Sequence, residues 1–425
     1  MNFKFALVAA AVLGAASTAQ AADLAKKAPA AANYVKICDA YGAGFFYIPG
    51  SDTCLKIGGF VRAQYNIFNP DKNWTGGAGG IVGWGGAGAR DKHGIGTFVR
   101  ADLTVDARTN TELGLLRSFI DFEINSNSLG NGNSNPADAL LGTNWGGVTL
   151  NKAFIQFGGL TAGRAQSFFD FWIGNTYGSW FEPAHSDTNI NLLGYTFAFG
   201  NGITASLALE DPSSGNAGRR AGAAYAGVKT TDVVANVNVS QAWGSAQLMA
   251  ALHQNYTSAI QTGIAGADVD KWGYAIGGGV TVNLPMLGAG DTFSLQAAYT
   301  KGAVRYAAPD DSAGANAANG ASLDDFAIDV DGSLHQATAW SIGAGLTHNW
   351  TKTVSTSLEA SYLDVDQFFA RGDFKQLDLQ ANVVWAPVSG LTIGAELEYR
   401  KVDYSTAGVA DPQALIGLIR VQRNF

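Results

Sequence analysis

Beyond its extreme N-terminus the chain has no apolar run of the roughly 18 to 20 residues that a membrane-spanning helix requires, although 47% of its residues are hydrophobic. Proline and methionine are scarce, at 10 and 3 residues. Cysteine occurs twice, at Cys38 and Cys54, far from the nearest histidine and without a zinc-ligand spacing. The five histidines, His93, His185, His253, His335 and His348, are scattered. Neither H-E-x-x-H nor G-x-S-x-G occurs, so no metalloprotease dyad or hydrolase elbow is present. The Gly76–Gly88 stretch has no phosphate-binding pattern leading into a helix and reads as a loop. A net charge of −8 argues against a nucleic-acid partner. These absences predict no catalytic residues, no metal and no cofactor.

The N-terminus has the three parts of a secretory signal peptide. Lys4 supplies the positive charge, Phe5 to Ala16 the apolar region and Ala19-Gln20-Ala21 the small-residue cleavage site. Residues 1–21 are therefore expected to be removed after Ala21. Because they contain Lys4 and no acid, the mature formal charge becomes −9. Residues 22–57 read as a periplasmic segment, with an Ala/Lys/Pro-rich lead followed by a cap. In an oxidising compartment two cysteines most simply pair, and a clip closing about 15 residues would contribute roughly 3 kcal/mol.

Apolar and polar residues alternate through the rest of the chain. In the segment near Thr97–Arg108, Val99, Ala101, Leu103, Val105 and Ala107 share one parity, and Arg100, Asp102, Thr104, Asp106 and Arg108 share the other. Successive strand side chains point to opposite faces, so one face is greasy and the other wet. The same pattern marks about 16 strands between Gly58 and Phe425. The region Gly218 to Lys229 could lengthen a strand or lie in a loop. Glycine, 54 of 425 residues, is about twice its usual share. An export signal, glycine, aromatics and alternation together predict an all-β transmembrane antiparallel barrel for residues 58–425. A secreted sandwich or propeller would show closer turns or a fixed repeat.

The connections alternate in length. Thr109-Asn110, Gly158-Gly159, Gly200-Asn201-Gly202, Gly244 and Pro387 to Gly390 read as short turns. Asn69–Gly96, Asn125–Gly147, Gln166–Asn189, Asp211–Thr231, Tyr256–Asp270 and Val304–Gln336 read as long loops. This segregation matches short periplasmic turns and long extracellular loops. Trp243, Trp340, Trp350, Tyr362, Trp385 and Tyr399 sit near strand ends, as interfacial girdles require.

The final strand ends in Phe425, which resembles the sorting signal of bacterial outer-membrane barrels. One residue there breaks parity, Arg423. The block Val35 to Gly50 with Cys54, the Gly59-Phe60-Val61-Arg62 strand, the Gln241 to Ala246 turn and the closing Val421 to Phe425 resemble the alphaproteobacterial general porins of rhizobia and Brucella-type bacteria. The resemblance implies a 16-stranded barrel, a homotrimer and passive diffusion of small hydrophilic solutes and ions. The surroundings would be outer-membrane lipid and lipopolysaccharide.

Pore function requires a constriction. Loop 166–189 carries Phe168, Phe169, Phe171, Trp172, Tyr177, Trp180 and Phe181, too many rings for a solvated loop. The resemblance places this third long loop inside the lumen. Asp170, Glu182 and Asp187 would then face Arg62, Arg100 and Arg117 on the first three strands, with Lys152 and Arg164 nearby. Opposed charges across a narrow gap order water and dipolar solutes. Alternatively the loop fills an interface and its acids are solvated. The acidic run Asp324 to Gly332 reads as solvated loop, with divalent-cation sharing beside lipopolysaccharide as the other reading. Two other functions stay open: a substrate-specific channel, or a non-conducting structural or adhesive barrel.

Overall fold

The computed structural model describes residues 36–70, 94–127, 145–214, 218–222, 224–308, 323–368, 373–406 and 411–425. The signal segment with Ala21, the lead and the Gly76–Gly88 stretch lie outside them.

Alternation becomes a closed antiparallel barrel of 16 strands. They are β1 (Cys54–Pro70), β2 (Ile95–Thr111), β3 (Gly114–Asn127), β4 (Trp145–Phe157), β5 (Leu160–Gln166), β6 (Asn189–Gly200), β7 (Ile203–Glu210) and β8 (Asp232–Gln241). The second half is β9 (Gly244–Tyr256), β10 (Asp270–Asn283), β11 (Thr292–Lys301), β12 (Thr338–Asn349), β13 (Val354–Asp366), β14 (Phe374–Val388), β15 (Leu391–Tyr404) and β16 (Gln413–Asn424). Each pairs with its sequence neighbour, and β16 pairs with β1 from Ala414↔Pro70 to Asn424↔Phe60. Closure matters because hydrocarbon offers no water to an unpaired backbone edge.

The wall is inside out relative to a soluble protein. Leu207, Leu248 and Ile276 on the outer face are 52%, 71% and 53% exposed. Gln64, Asp102, Gln296, Gln376 and Glu398 on the inner face are buried. The parity of β16 holds: Leu415, Ile419 and Val421 point out, while Arg420 and Gln422 point in. Its inward set also includes Ile416 and Leu418, because something apolar packs there from inside. Arg423 is explained by the turn it meets, where its guanidinium donates to the Ser389 carbonyl.

Three boundaries differ from the sequence expectation. The first hairpin turns at Glu112-Leu113, because the ladder runs on to Thr111↔Gly114, past Thr109-Asn110. The barrel begins at Cys54 rather than Gly58, since Cys54 still pairs with Arg108. The described part of Gly218 to Lys229 is outside any strand. Asn201 and Gly202, with φ of 52° and 75°, form the left-handed pair that a two-residue hairpin of this twist demands.

The Cys38–Cys54 disulfide is present. It ties the cap to the first residue of β1, and the Cys38 amide donates to the Phe45 carbonyl. Cys38, Phe45 and Cys54 are buried with Tyr41 and Tyr47 against them. Arg108, on the lumen face of β2, lies over the rings of Tyr41 and Phe45 at 5.7 and 4.9 Å. The cap therefore sits on the lumen side of the mouth formed by the short turns. Alkylation of the native protein followed by intact-mass measurement should find no modified cysteine without reductant and two after it. One or two adducts on the unreduced protein would contradict the pairing.

Candidate functional site

Loop 166–189 leaves β5 and enters the lumen. It does not hang free: its backbone is laid along the inner wall, strand by strand. Glu210 at the end of β7 accepts from the Phe168 amide at 2.8 Å and the Ser167 hydroxyl at 2.8 Å. Asn236 on β8 donates to the Phe168 carbonyl at 2.6 Å. Gln296 on β11 accepts from the Trp172 amide at 3.0 Å. Glu359 on β13 takes the Asn175 and Thr176 amides at 2.7 and 3.1 Å. Glu396 on β15 takes Tyr177 and Gly178 at 2.6 and 3.0 Å. Glu398, two residues on and on the same face, takes Ser179, Trp180 and Phe181, each at 2.9 Å. Inward carboxylates thus act as acceptors for amides that have no strand partner, and such charge-assisted bonds are about twice as strong as neutral ones.

The rings of the loop need space as well as bonds. A Cβ built on the inward glycines would collide with them. It would meet Phe168 from Gly194 at 2.7 Å, Phe171 from Gly279 at 2.5 Å, Trp172 from Gly343 at 2.8 Å and Tyr177 Oη from Gly394 at 2.2 Å. Part of the glycine excess is therefore a set of sockets for one loop. At its far end Phe181 packs with Phe68, Ala414 and Ile416, the inward apolar residues of β1 and β16.

The candidate charges separate into different roles. Asp170 is not at an open surface: its side chain is 1% exposed, pairs with Arg219 at 3.2 Å, and accepts from the Thr188 amide at 2.7 Å. It closes the base of the loop. Glu182 and Asp187 are exposed within the lumen. Asp187 accepts from Gln166 at 2.8 Å. Its carboxylate is reachable but has protein on most sides, and that burial, with the Asp170 charge next, pushes its pKa up.

Arg62, Arg100 and Arg117 are on the lumen face of β1, β2 and β3, the side the loop leaves uncovered. Arg62 and Arg100 are direct cross-strand partners. Arg62 donates to Gln422 at 2.8 Å. Arg100 donates to Asn125 and to Glu123, both at 2.8 Å. Arg117 and Arg108 share Asp106, at 3.0 and 2.7 Å. Below the Arg62–Arg100 row stands an acidic one, Asp102 opposite Glu123. The uncovered wall is therefore banded, with cations and anions in alternate rows. Arg164 is spent on backbone, donating to Leu150 and Asn151 carbonyls at 3.0 and 3.2 Å. Lys152 lies opposite Asp121 in the β3–β4 register.

Sequence reasoning missed the wall acceptors Glu210, Glu359, Glu396 and Glu398. The available signal was a pair of glutamates two apart on the wet parity, Glu396 and Glu398. It also misread the longest loop. Asp325 is buried rather than solvated, accepting from the Val304 and Ala221 amides, each at 2.7 Å. Val304, Tyr306 and Leu323 from that loop join Phe169 and the inward Val365, Phe374 and Val402 in one apolar cluster. A short strand pair, Phe326–Ile328 with Leu334–Gln336, packs in a second apolar cluster with Tyr225 and Ala267.

Residues 23–417 match the porin subfamily. Porin Omp2b of Brucella canis is 30% identical over 445 aligned positions, which cover 100% of both chains. Porin Omp2b of Brucella suis biovar 1 is 29% identical with the same coverage. The crystal structure of the outer membrane channel DcaP of Acinetobacter baumannii matches with a TM-score of 0.65 at 14% identity, covering 89% of this chain and 99% of that one. The trimer form of OmpT from Vibrio cholerae matches at 0.52 and 10% identity, covering 88% and 100%. At such identities these structures establish the fold alone.

The sockets are testable. Gly343→Ala should displace Trp172 and raise single-channel conductance in planar bilayers, while Gly343→Ala with Trp172→Leu restores the wild-type step. A Gly343→Ala channel with unaltered conductance would show that the ring does not hold the loop in place.

Proposed function

The chain belongs to the porin subfamily, and from that premise we propose that the gap between loop 166–189 and the β1–β5 wall is its eyelet. The protein is an outer-membrane porin of a Gram-negative bacterium, a water-filled channel rather than an enzyme. Small hydrophilic solutes and ions pass it by diffusion, and a 16-stranded wall is wide enough for an aqueous pore.

One observation carries the eyelet reading. The loop is bonded along the wall from Glu210 on β7 round to Ser179, whose hydroxyl donates to Gln64 on β1 at 3.1 Å. Opposite it stands the banded face of β1–β3. Glu182 and Asp187 are the exposed acids of the loop, so they bias the eyelet toward cations. The wall opposite contributes Arg62 and Arg100 together with Asp102 and Glu123, a mixed field that orients dipolar solutes more than it selects by sign.

Further readings concern surroundings and assembly. A homotrimer is supported by the trimer form of the structurally similar OmpT. Lys301 points outward just beyond Tyr299, at the level expected for the headgroup phosphates of lipopolysaccharide. Residues 1–21 are the export signal, cut after Ala21, and residues 22–53 are the periplasmic lead and cap, with Cys54 already in β1. Phe425 donates its amide to the Gly59 carbonyl at 3.0 Å, and its ring is 60% exposed at the barrel rim, open to the assembly machinery.

Reversal potential under a salt gradient tests the eyelet. Glu182→Gln with Asp187→Asn should lower cation preference, most at low salt, because physiological salt largely screens charges beyond about 8 Å. Asp170→Asn should leave selectivity nearly unchanged and instead destabilise the fold by about 3–5 kcal/mol, since Arg219 is left buried without its partner. Shortening Phe168 to Phe181 should raise conductance. Folded variants with unaltered selectivity and conductance would put the eyelet elsewhere.

For assembly, removing Phe425 should reduce heat-modifiable folded protein in the outer membrane, whereas Phe425→Tyr should not. Equal yields from the two would exclude a role for the terminal ring.

A further inference from the structure

Above the constriction loop, two connections and two strands converge on a buried polar line. His253 of β9 is 0% exposed. Its Nδ1 lies 2.8 and 2.9 Å from the two carboxylate oxygens of Asp232 on β8. Its Nε2 lies 2.7 Å from the hydroxyl of Tyr225, in the β7–β8 connection. Tyr225 Oη is also 2.7 Å from Asp325 Oδ2, in the β11–β12 connection. Asn255 of β9 donates to the same hydroxyl at 2.9 Å. Tyr306 donates to Asp232 at 2.7 Å. Arg220 lies over the Tyr225 ring at 4.2 Å.

Donor counting fixes the protonation of this line. A tyrosine hydroxyl has one hydrogen, and an ionised carboxylate only accepts. If Tyr225 donates to Asp325, then Nε2 must donate to Tyr225, and Nδ1 must donate to Asp232. Both ring nitrogens then carry hydrogen, and His253 is imidazolium. A neutral ring would need the same proton on Asp325, with Tyr225 donating to Nε2. In either arrangement the line holds one proton more than neutral imidazole and two carboxylates would supply. Burial, then Asp325 for Tyr225 and Asp232 for Tyr306, hold both phenols well above the ordinary tyrosine range. The extra proton therefore belongs to the His253 line and not to either phenol.

The line touches the constriction. Tyr306 packs edge-on against Phe169 of the loop at 4.8 Å. Arg219, which pairs with Asp170, lies over the same Tyr306 ring at 4.2 Å and donates to the Arg305 carbonyl at 3.2 Å. Glu210, the first wall anchor of the loop, is buried beside them. Movement of Tyr306 is thus movement of the loop base.

The geometry points to His253 as a positioning residue of the channel, whose proton locks the β7–β8 and β11–β12 connections over the base of loop 166–189. With the proton present, Asp232 and Asp325 are bridged and Tyr306 is fixed. Without it, two buried carboxylates face one neutral ring, with Arg220 the remaining cation at Tyr225. The connections then loosen, and the loop they brace fluctuates. The lock is complete at low pH and is lost as pH rises. This inference rests on the eyelet reading above.

The test records the full-length protein in planar bilayers between about pH 6 and about pH 10, with heat-modifiability on gels as the control for folding. Wild type should be quiet at the acid end and show greater open-channel noise and conductance once the proton is lost. His253→Gln, which keeps an amide donor but cannot carry the proton, should lose the transition and behave at every pH like alkaline wild type. Adding Asp232→Asn to that variant removes a carboxylate that required the proton, while its amide oxygen still accepts from Tyr306, and should return the channel to quiet. Should His253→Gln fail to assemble, Asp232→Asn alone carries the test, its amide donating to Nδ1 of a neutral ring, expected quiet across the whole range. A flat wild-type profile, a transition that survives in His253→Gln, or Asp232→Asn that leaves the alkaline noise in place would each overturn the lock. The variant shortened in Phe168 to Phe181 is recorded alongside. If its conductance is unaltered the eyelet reading itself fails, and if it rises while wild type is flat only the lock fails.

Discussion

Hydrocarbon cannot hydrogen-bond to a peptide, and everything else in this molecule follows from that. Every strand must find two neighbours, so β16 has to meet β1 and the sheet has to close. Closure leaves no edge, and it also fixes two faces with opposite demands. The outer face must be apolar and carries Leu207, Leu248 and Ile276. The inner face is free to be polar and becomes the working surface.

A closed wall of this size is wider than a selective pore needs, and the narrowing is built by the same logic of satisfying backbone. Loop 166–189 has amides with no ladder to join. The wall supplies Glu210, Glu359, Glu396 and Glu398 as acceptors. Acidic residues in a porin lumen thus do two jobs. Some face water, as Glu182 and Asp187 do. Others are consumed in holding peptide, and their charge is local. Counting carboxylates alone overstates the field in the pore.

Burial inside the lumen raises the stakes of each polar group. Asp170 with Arg219, and His253 between Asp232 and Asp325, are sealed from water by Tyr306, Phe169 and the inward alanines of the wall. Such networks are stable only when fully satisfied. That is why the connections above the eyelet are folded inward and share partners, rather than standing away from the membrane as separate loops.

The sequence alone determined the barrel. Alternation at period two is a local property, and it located every strand to within a few residues, Ile203 to Glu210 among them. The pairing of Cys38 with Cys54 was also a local signal, and the rings of loop 166–189 called for a wall to pack on, while its place in the lumen came with the family resemblance. The tertiary structure alone decided which charges face the pore. Asp170, Glu182 and Asp187 look alike in sequence, but only Asp170 meets Arg219, a residue brought from another connection. Asp325 in an acidic run looked solvated, yet it binds amides from Val304 and Ala221. Glu396 and Glu398 showed the correct parity, but parity names a face and not a partner. Register and loop path bring together residues far apart in the chain, and the burial that results, which no local pattern encodes, decides whether a charge is exposed, paired or spent on backbone.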